Sequence, residues 1–243
     1  MTHPQHDKIG ATIRGWYETG DEHWYGYSGS ESPTRSRIIL RVDEPDQVAP
    51  ALAAAGGSAL TIRVEGRERA AVLDSALLSA GCTRGVATTH LALVDAIAPD
   101  PDPAGLRVET IGAESLEEWA AVKLQAFGDA EPAPERLAAE TAKRRSELSF
   151  ADFQIGRIDG AVAAVMAYFG GEDQMVFNLG TLVPYRHRGI ASAMLARWVT
   201  GNDCRSFLIN ATDGGPAADL YRRLGFVDEV YWYQRYELDV ARS

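Results

Sequence analysis

The segment that most constrains the fold runs from Thr181 to Leu195 (TLVPYRHRGIASAML). Its pattern predicts a strand that passes through a short basic turn into an amphipathic helix introduced by Gly189. The first turn of a helix leaves backbone N–H groups unpaired, and with the helix dipole they can bind phosphate oxygens. Arg186 and Arg188 add positive charge at the same place. The segment therefore indicates a pyrophosphate site, although a strand-to-helix turn with exposed arginines fits the residues equally well.

A second motif follows this segment, at Ala217 to Phe226 (AADLYRRLGF). The pattern predicts a helix that ends at Gly225, since glycine is the usual residue just past a helix terminus. Tyr221 lies within this helix. From periodicity alone, its ring is expected to pack against the core as one residue of an amphipathic face.

Together the two motifs resemble those of the GNAT superfamily of acyl-CoA-dependent N-acyltransferases. The family signature is Arg or Gln, two residues, Gly, one residue, then Gly or Ala, and Arg186, Gly189 and Ala191 occupy those positions. The family's helix ending in Leu-Tyr, three residues, Gly-Phe is similar to residues 220–226. The resemblance covers roughly Arg107 to Leu238. It implies the GNAT fold, a mixed α/β fold with a central sheet flanked by helices.

The resemblance also implies a cofactor, acetyl-CoA, and the residues that bind coenzyme A. Backbone N–H groups of the basic turn would hold the pyrophosphate, and the preceding strand, separated by a bulge from the next, would hold the pantetheine arm. Pro184 and Tyr185 are adjacent where many relatives have a residue between them, so the strand register is uncertain by one position. The family's pantetheine-contacting asparagine is replaced by Gly214. The implied cofactor-binding residues are Thr181, Leu182, Val183, Arg186, His187, Arg188, Gly189, Ile190, Ala191, Ser192, Asp213 and Gly214.

By the same resemblance, an acetyl or short acyl group would pass directly from the thioester to a primary amine. Tyr221 would be the catalytic general acid that gives a proton to the leaving thiolate. Neither Cys82 nor Cys204 lies in a matching motif or a metal-binding spacing, so we expect no acyl-cysteine intermediate and no metal. No acidic residue lies in Gln174 to Val183, where some relatives keep a general base. The alternative is a non-catalytic acyl-CoA-binding or regulatory module.

The acceptor is the least constrained part of the prediction. By family analogy, Trp119 and Phe127 are candidate substrate contacts on a helix beside the site, although both also fit a core-facing stripe. The formal net charge of −10 disfavours nucleic acid and favours a cationic small molecule. We expect Lys143 to Arg145 to be part of a solvated helix face. An antibiotic or metabolite amine, a polyamine, an amino acid and a protein N-terminus all remain open.

A proline-rich acidic seam, IAPDPDPAG, divides the chain. We predict a degenerate GNAT-like domain over residues 1–98, a linker over 99–105 and a catalytic domain over 106–243. A weak repeat supports the first of these, because aligning Gly81 with Gly225 sets Leu77 against Tyr221. A helix stopped by glycine would produce the same likeness. The segment Trp16 to Ser32 predicts an aromatic, acidic loop that is solvated or contacts a cationic amine.

The predicted elements alternate in both halves. In the first half the pattern predicts strands at Ser36–Val42, Ala59–Val64 and Val86–Val94, and helices at Gln47–Ala55 and Glu68–Ala80. In the second half it predicts strands at Leu106–Thr110, Asp152–Ile158, Ala161–Tyr168, Gln174–Val183, Ser206–Asn210 and Asp228–Leu238, and helices at Glu114–Phe127, Pro134–Leu148 and Pro216–Leu224, besides the one after Gly189.

The sequence contains no run of about 18 apolar residues, and its first ten residues do not resemble a secretion signal. We therefore expect a cytoplasmic protein with no membrane and no nucleic-acid partner. A homodimer is left open.

Overall fold

The computed structural model describes residues 17–21, 24–27, 36–55, 59–94, 97 and 102–239. These residues form two compact units that interleave along the chain. The first contains the described residues up to His90 together with Ala211–Ala218 and those from Glu229 onwards, and the second contains Leu91–Asn210 and Asp219–Asp228. The domain boundaries drawn from the sequence at residues 98 and 106 stay a prediction.

The first unit is a sheet with two helices. Its elements are β1 (Tyr17–Asp21), β2 (Trp24–Tyr27), β3 (Ser36–Leu40), α1 (Val48–Ala55), β4 (Ala59–Glu65), α2 (Arg67–Ser79), most of β5 (Thr83–Leu93) and most of β11 (Phe226–Asp239). The strand order is β1-β2-β3-β4-β11-β5. β3 and β4 run parallel, whereas β11 pairs antiparallel with β4. Alternate residues of β4 are buried, as expected of a strand that packs one face on a core.

The loop predicted at Trp16–Ser32 is wrong for two stretches of that segment. β1 and β2 are strands that pair antiparallel with each other, and β2 pairs antiparallel with β3. The rest of the segment lies outside the described residues. The segment is rich in aromatic residues, which favour strands, and β3 offers a partner edge that the local sequence does not reveal.

The second unit contains β6 (Leu106–Ile111), α3 (Leu116–Ala126), α4 (Pro134–Glu147), β7 (Ala151–Ile158), β8 (Ala161–Phe169), β9 (Asp173–Thr181), α5 (Ile190–Gly201), and most of β10 (Ser206–Thr212) and α6 (Pro216–Arg223). Its strand order is β10-β9-β8-β7-β6. Only the β9–β10 pair is parallel among the register pairs of these strands. The mixed sheet with flanking helices confirms the predicted fold class.

Local chemistry explains where two of these elements end. Asp159 and Gly160 both have positive φ and form the predicted two-residue hairpin turn between β7 and β8. The strand predicted to reach Val183 stops at Thr181, because Val183–Tyr185 forms a 3-10 turn in which the Tyr185 N–H donates to Leu182 O. Pro184 has no N–H with which to continue a ladder.

Two kinds of site are absent from the described residues, a membrane-spanning helix and a metal-binding cluster. None of the helices there is both long and apolar enough to cross a bilayer. No cluster of three or more His, Cys, Asp or Glu side chains in those residues is arranged to hold a metal ion.

Candidate functional site

Strand β9 changes its pairing midway along its length. It pairs parallel with β10 from Asp173–Ser206 to Val176–Ile209, and the register stops there although both strands continue. On its other side, Val176 lies opposite Tyr168 and Asn178 lies opposite Ala167, so Phe177 is an inserted residue. This is the bulge that the family resemblance implied, and it lies where pairing with β10 ends. Beyond it, one edge of β9 is open toward the β10 side.

The hydrogen bonds between β8 and β9 identify which backbone groups face that open edge. The Leu182 N–H donates to Ala163 O at 2.9 Å, so Leu182 points its backbone groups toward β8. Antiparallel strands alternate, so Leu179 and Thr181 point theirs the other way. The sequence named three strand residues here. The Thr181 N–H lies on the open side, whereas the Leu182 N–H is already bonded to Ala163 O. Leu179 has the same orientation as Thr181 and was not among the residues named from the sequence.

The basic turn leads from β9 into α5 through two residues with positive φ, His187 at 59° and Gly189 at 76°. Gly189 is the N-cap of α5, and a left-handed conformation there favours glycine. The first bond within the helix runs from the Ala193 N–H to Gly189 O, at 2.9 Å. The N–H groups of Ile190, Ala191 and Ser192 therefore have no acceptor within the helix. The first turn carries no acidic residue, so the positive end of the helix dipole is not neutralised there.

The arginines of the turn have different roles in the structure. The Arg186 guanidinium donates from Nε to Thr181 O at 3.1 Å and from Nη2 to Ala126 O at 2.9 Å. It thus ties the end of β9 to the last turn of α3, whose carbonyls favour a cation. The Arg188 guanidinium lies 5.5 Å from the centre of the Tyr185 ring and is exposed. Both arginines are exposed, but the one that matches the family signature is held by two backbone carbonyls and fixes the turn.

Helix α3 approaches β9 closely because Gly180 has no side chain. A Cβ at Gly180 would lie 2.9 Å from Ala126 Cβ and 3.0 Å from Phe127 Cε2, both too close. The two acceptor candidates on this helix differ in exposure. Phe127 is 60% exposed beside β9. Trp119 is fully buried, and its indole N–H donates to Met166 O at 3.1 Å. Of the two interpretations of Trp119, a substrate contact or a core residue, the structure shows a core residue.

The solvated face expected at Lys143–Arg145 is wrong for Arg144, which is only 3% exposed, although Arg145 is exposed. Its guanidinium donates to Glu140 and Glu147, at 2.6 Å in each case. Burial acts to raise the pKa of Glu140, but the attraction of Arg144 and Lys123 together outweighs this and the pKa lies below its usual value.

The Arg144 guanidinium also lies 5.6 Å from the centre of the Trp119 ring and 5.7 Å from that of Phe177. These are distances at which a cation is attracted to an aromatic ring. The buried Arg144 guanidinium therefore contacts side chains of both α3 and the bulge of β9. Sequence spacing gave no sign of this, because both rings are distant along the chain.

Tyr221 lies on α6 with its ring buried, 5% exposed, and 6.5 Å from the ring of Phe226. Burial raises the pKa of its phenol above the ordinary value. The hydroxyl makes no hydrogen bond to any residue that the structure describes.

Asp213, in the first unit, uses its polar groups within the protein. Oδ2 accepts from Arg67 Nη1 at 2.7 Å and from the Trp232 indole N–H at 2.9 Å, and the Asp213 N–H donates to Ala87 O at 3.0 Å. Gly214 follows it with positive φ. The assignment of both residues to the cofactor stays a prediction. Cys82 is buried, and burial raises the pKa of its thiol to about 11, which makes it a poor nucleophile at neutral pH.

No protein-family model and no curated protein matches the chain. Solved structures do match it along most of its length. A functionally unknown conserved protein from Staphylococcus epidermidis ATCC 12228 has a TM-score of 0.68 and 14% identity, over 92% of this chain and 93% of its own. A GCN5-related N-acetyltransferase from Kribbella flavida has a TM-score of 0.64 and 17% identity, over 97% of this chain and 96% of its own.

A tandem GNAT protein from the clavulanic acid biosynthesis pathway has a TM-score of 0.57 and 16% identity, over 90% of this chain and 79% of its own. At identities of 14–17%, these likenesses show the fold alone. The protein has the GNAT fold, as its two sequence motifs predicted.

Proposed function

We propose that the protein is an N-acetyltransferase that moves an acetyl or other short acyl group from acetyl-CoA to a primary amine of a small molecule. One observation carries the proposal: the pairing of β9 with β10 ends at Val176, and the strand then leads into a helix whose first-turn N–H groups have no acceptor within the helix. An open strand edge and a free helix terminus, joined in sequence, suit a ligand with an amide-containing arm and a diphosphate. The fold shared with a GCN5-related N-acetyltransferase supports this function.

The diphosphate would bind at the start of α5. Its oxygens would accept from the N–H groups of Ile190, Ala191 and Ser192, with the left-handed Gly189 keeping a side chain away from them. The exposed Arg188 would add a charge-assisted contact. Arg186 would contribute mainly by holding the turn, because its guanidinium already has two backbone acceptors.

The reacting end would lie along the open edge of β9. Acetyl-CoA supplies the activated acyl group as a thioester. An N–H on this edge, from Leu179 or Thr181, would donate to the acyl carbonyl oxygen and stabilise the charge that develops there.

Tyr221 would act as the general acid. The amine nitrogen would form its bond to the carbonyl carbon while the carbon–sulfur bond breaks, and the phenol would give its proton to the sulfur. The amine would then lose a proton to water, and the phenolate would regain one from water. Burial raises the pKa of Tyr221, so the phenol stays protonated at neutral pH and has a proton to give. Its hydroxyl has no competing partner in the described chain.

We propose a cationic small molecule as the acceptor. The exposed ring of Phe127 lies beside β9, where it can contact an ammonium group through its π face. The formal net charge of −10 would draw cations toward the protein. A cytoplasmic location fits the pool of acetyl-CoA that such an enzyme would use.

Calorimetry with coenzyme A and acetyl-CoA, followed by thiol release with a panel of amines, tests the proposal. The panel should contain an aminoglycoside, a polyamine, free amino acids and a peptide N-terminus. Binding together with amine-dependent thiol release supports the enzyme. Binding without release from any amine would favour a non-catalytic acyl-CoA-binding module, and no binding at all would overturn both.

A further inference from the structure

A hydrogen-bonded network in the first unit connects α2, β5, β11 and the loop after β10. At its centre, Arg67 donates from Nη1 to Asp213 at 2.7 Å, and from Nε and Nη2 to the two oxygens of Glu229 at 3.2 and 2.6 Å. Thr89 Oγ1 donates to Glu229 at 2.8 Å. The Arg67 guanidinium also lies 4.8 Å from the centre of the Trp232 ring, whose N–H donates to Asp213 at 2.9 Å.

The geometry of this network differs from that of an ordinary surface ion pair. Arg67 is half exposed, and an isolated pair at such a site contributes little because water screens it and two side chains must be ordered. Here the guanidinium is fixed by a two-pronged contact to Glu229 and by the ring of Trp232. Its remaining edge is therefore held in place when it meets Asp213.

Asp213 lies at the point where the chain leaves β10 for α6. The next residues are Gly214, with positive φ, and Gly215, whose N–H donates to Thr212 O at 3.0 Å. That bond closes a tight turn, so the position of Asp213 sets where the chain enters α6. The side chain of Asp213 is therefore a tether for the start of α6, the helix that carries Tyr221.

We propose that Arg67 is a positioning residue for Tyr221, acting through Asp213 on the start of α6. Arg67 belongs to the half of the sequence that has neither the basic turn nor a matching tyrosine. That half therefore contributes to catalysis by holding the Tyr221 helix in place. The inference depends on the proposed role of Tyr221.

The test compares Arg67→Met with Arg69→Met. Arg69 is on the same helix and bonds an exposed carboxylate, Asp43, at 2.6 Å, so its loss removes the same charge but only an ordinary surface ion pair. The first measurement is amide hydrogen exchange of the segment 213–221 in the intact protein, which needs no substrate. We expect exchange to become about tenfold faster in Arg67→Met and to stay at the wild-type rate in Arg69→Met.

The second measurement is turnover of the best amine from the panel. Misplacing a proton donor affects the chemical step more than the binding of the donor substrate, so kcat for Arg67→Met should fall about tenfold while KM for acetyl-CoA changes less than about twofold. Arg67→Lys should restore part of kcat, because an ammonium can bond Asp213 but cannot make the two-pronged contact with Glu229. Asp213→Asn, which keeps the side-chain shape, should reproduce the loss.

The outcomes separate this inference from the proposed function. Unchanged exchange in Arg67→Met, equal effects in Arg69→Met, or faster exchange with full kcat would each overturn the positioning role. A wild-type protein that binds no coenzyme A and releases no thiol would instead overturn the proposed function, whatever the exchange rates show.

Discussion

The two halves of the chain share one order of elements but treat the first strand-to-helix turn in opposite ways. β3-α1-β4-α2-β5 and β9-α5-β10-α6-β11 each contain a parallel strand pair followed by a helix and a strand. In the first half, β3 pairs with β4 along its whole length, from Ser36–Leu60 to Leu40–Val64. In the second half, β9 separates from β10 after four residue pairs. A parallel pair that stays closed has no edge to offer a ligand.

The two strand-to-helix turns also carry opposite charges. The first-half turn contains Asp43, Glu44 and Asp46, with Pro45 beginning a 3-10 turn, and Asp43 accepts from Arg69. Carboxylates near a helix N-terminus are favoured by the helix dipole. The second-half turn carries Arg186 and Arg188 and has no acidic residue in the first turn of its helix. Carboxylates therefore precede the helix in the first half, whereas arginines precede it in the second, and only the second arrangement suits an external anion.

The helix that follows shows the same contrast. Leu77 of α2, which the sequence alignment sets against Tyr221, is fully buried in the core of the first unit. Tyr221 buries its ring as Leu77 buries its side chain, but adds a hydroxyl that has no partner in the described residues. At this position α6 differs from α2 by one polar atom, the Tyr221 hydroxyl oxygen, which makes α6 the candidate catalytic helix.

The largest expected effect comes from removing the Tyr221 hydroxyl oxygen. Tyr221→Phe should lower turnover about a hundredfold, because general acid catalysis contributes about that much or more. The free energy of unfolding should change little, since the hydroxyl makes no hydrogen bond in the described chain. The matched control is Tyr236→Phe, which loses a 2.8 Å bond to Asp74 and about 1 kcal/mol of stability but keeps its turnover. Thiol release and urea unfolding measure the two effects, and full turnover in Tyr221→Phe would remove the general-acid assignment.

The next largest effect concerns the helix terminus. Gly189→Val should weaken coenzyme A binding at least about tenfold, because a β-branched residue avoids the φ of 76° and its side chain would stand beside the N–H groups of the turn. Gly160→Val is the control, since Gly160 has a φ of 87° in a hairpin turn with open space around it. It should lose similar stability and keep its affinity. Calorimetry compares them, and equal affinities in the two variants would mean that the turn binds no diphosphate.

A smaller effect tests the contrast in charge. Arg188→Ala should weaken coenzyme A binding about threefold at low salt, and less at high salt, because an exposed charge is screened. Arg69→Ala changes the net charge equally but lies by the acidic turn, so it should leave the affinity unchanged. If both variants lose affinity alike, the effect of Arg188 is one of overall charge and not of a local contact.

The fold and the basic turn could be predicted because their signals are local. A glycine at a helix start, arginines beside it and an apolar stripe after it specify the turn without help from distant residues. The burial of Arg144 could not be predicted. Glu140 and Glu147 lie one helical turn away, as they would on a solvated face. What encloses Arg144 is Trp119 and Phe177, which are distant in sequence.

Pairings between distant strands were also beyond the sequence. β11 follows the second-half helix α6, yet it pairs with β4 from Tyr233–Glu65 to Asp239–Ala59, in the first unit. Its alternating pattern predicts a strand but names no partner, since a strand buries one face against any complementary edge. The role of Asp213 depended on the same kind of information, because its partner Arg67 lies 146 residues away.

The smallest expected effect is a rate that does not change with pH. A free tyrosine ionises near pH 10, and burial raises the pKa of Tyr221 above that, so its proton should remain in place as pH rises from 7 to about 10. kcat measured with saturating amine should therefore show no decline that depends on Tyr221 over this range. Tyr221→Phe provides the baseline, because any decline that it shares with the wild type has another origin. A fall in wild-type kcat with an apparent pKa below 10, missing in Tyr221→Phe, would mean that the phenol is easier to ionise than its buried ring implies. Tyr221 would then differ from Leu77 both in its hydroxyl and in having more polar surroundings.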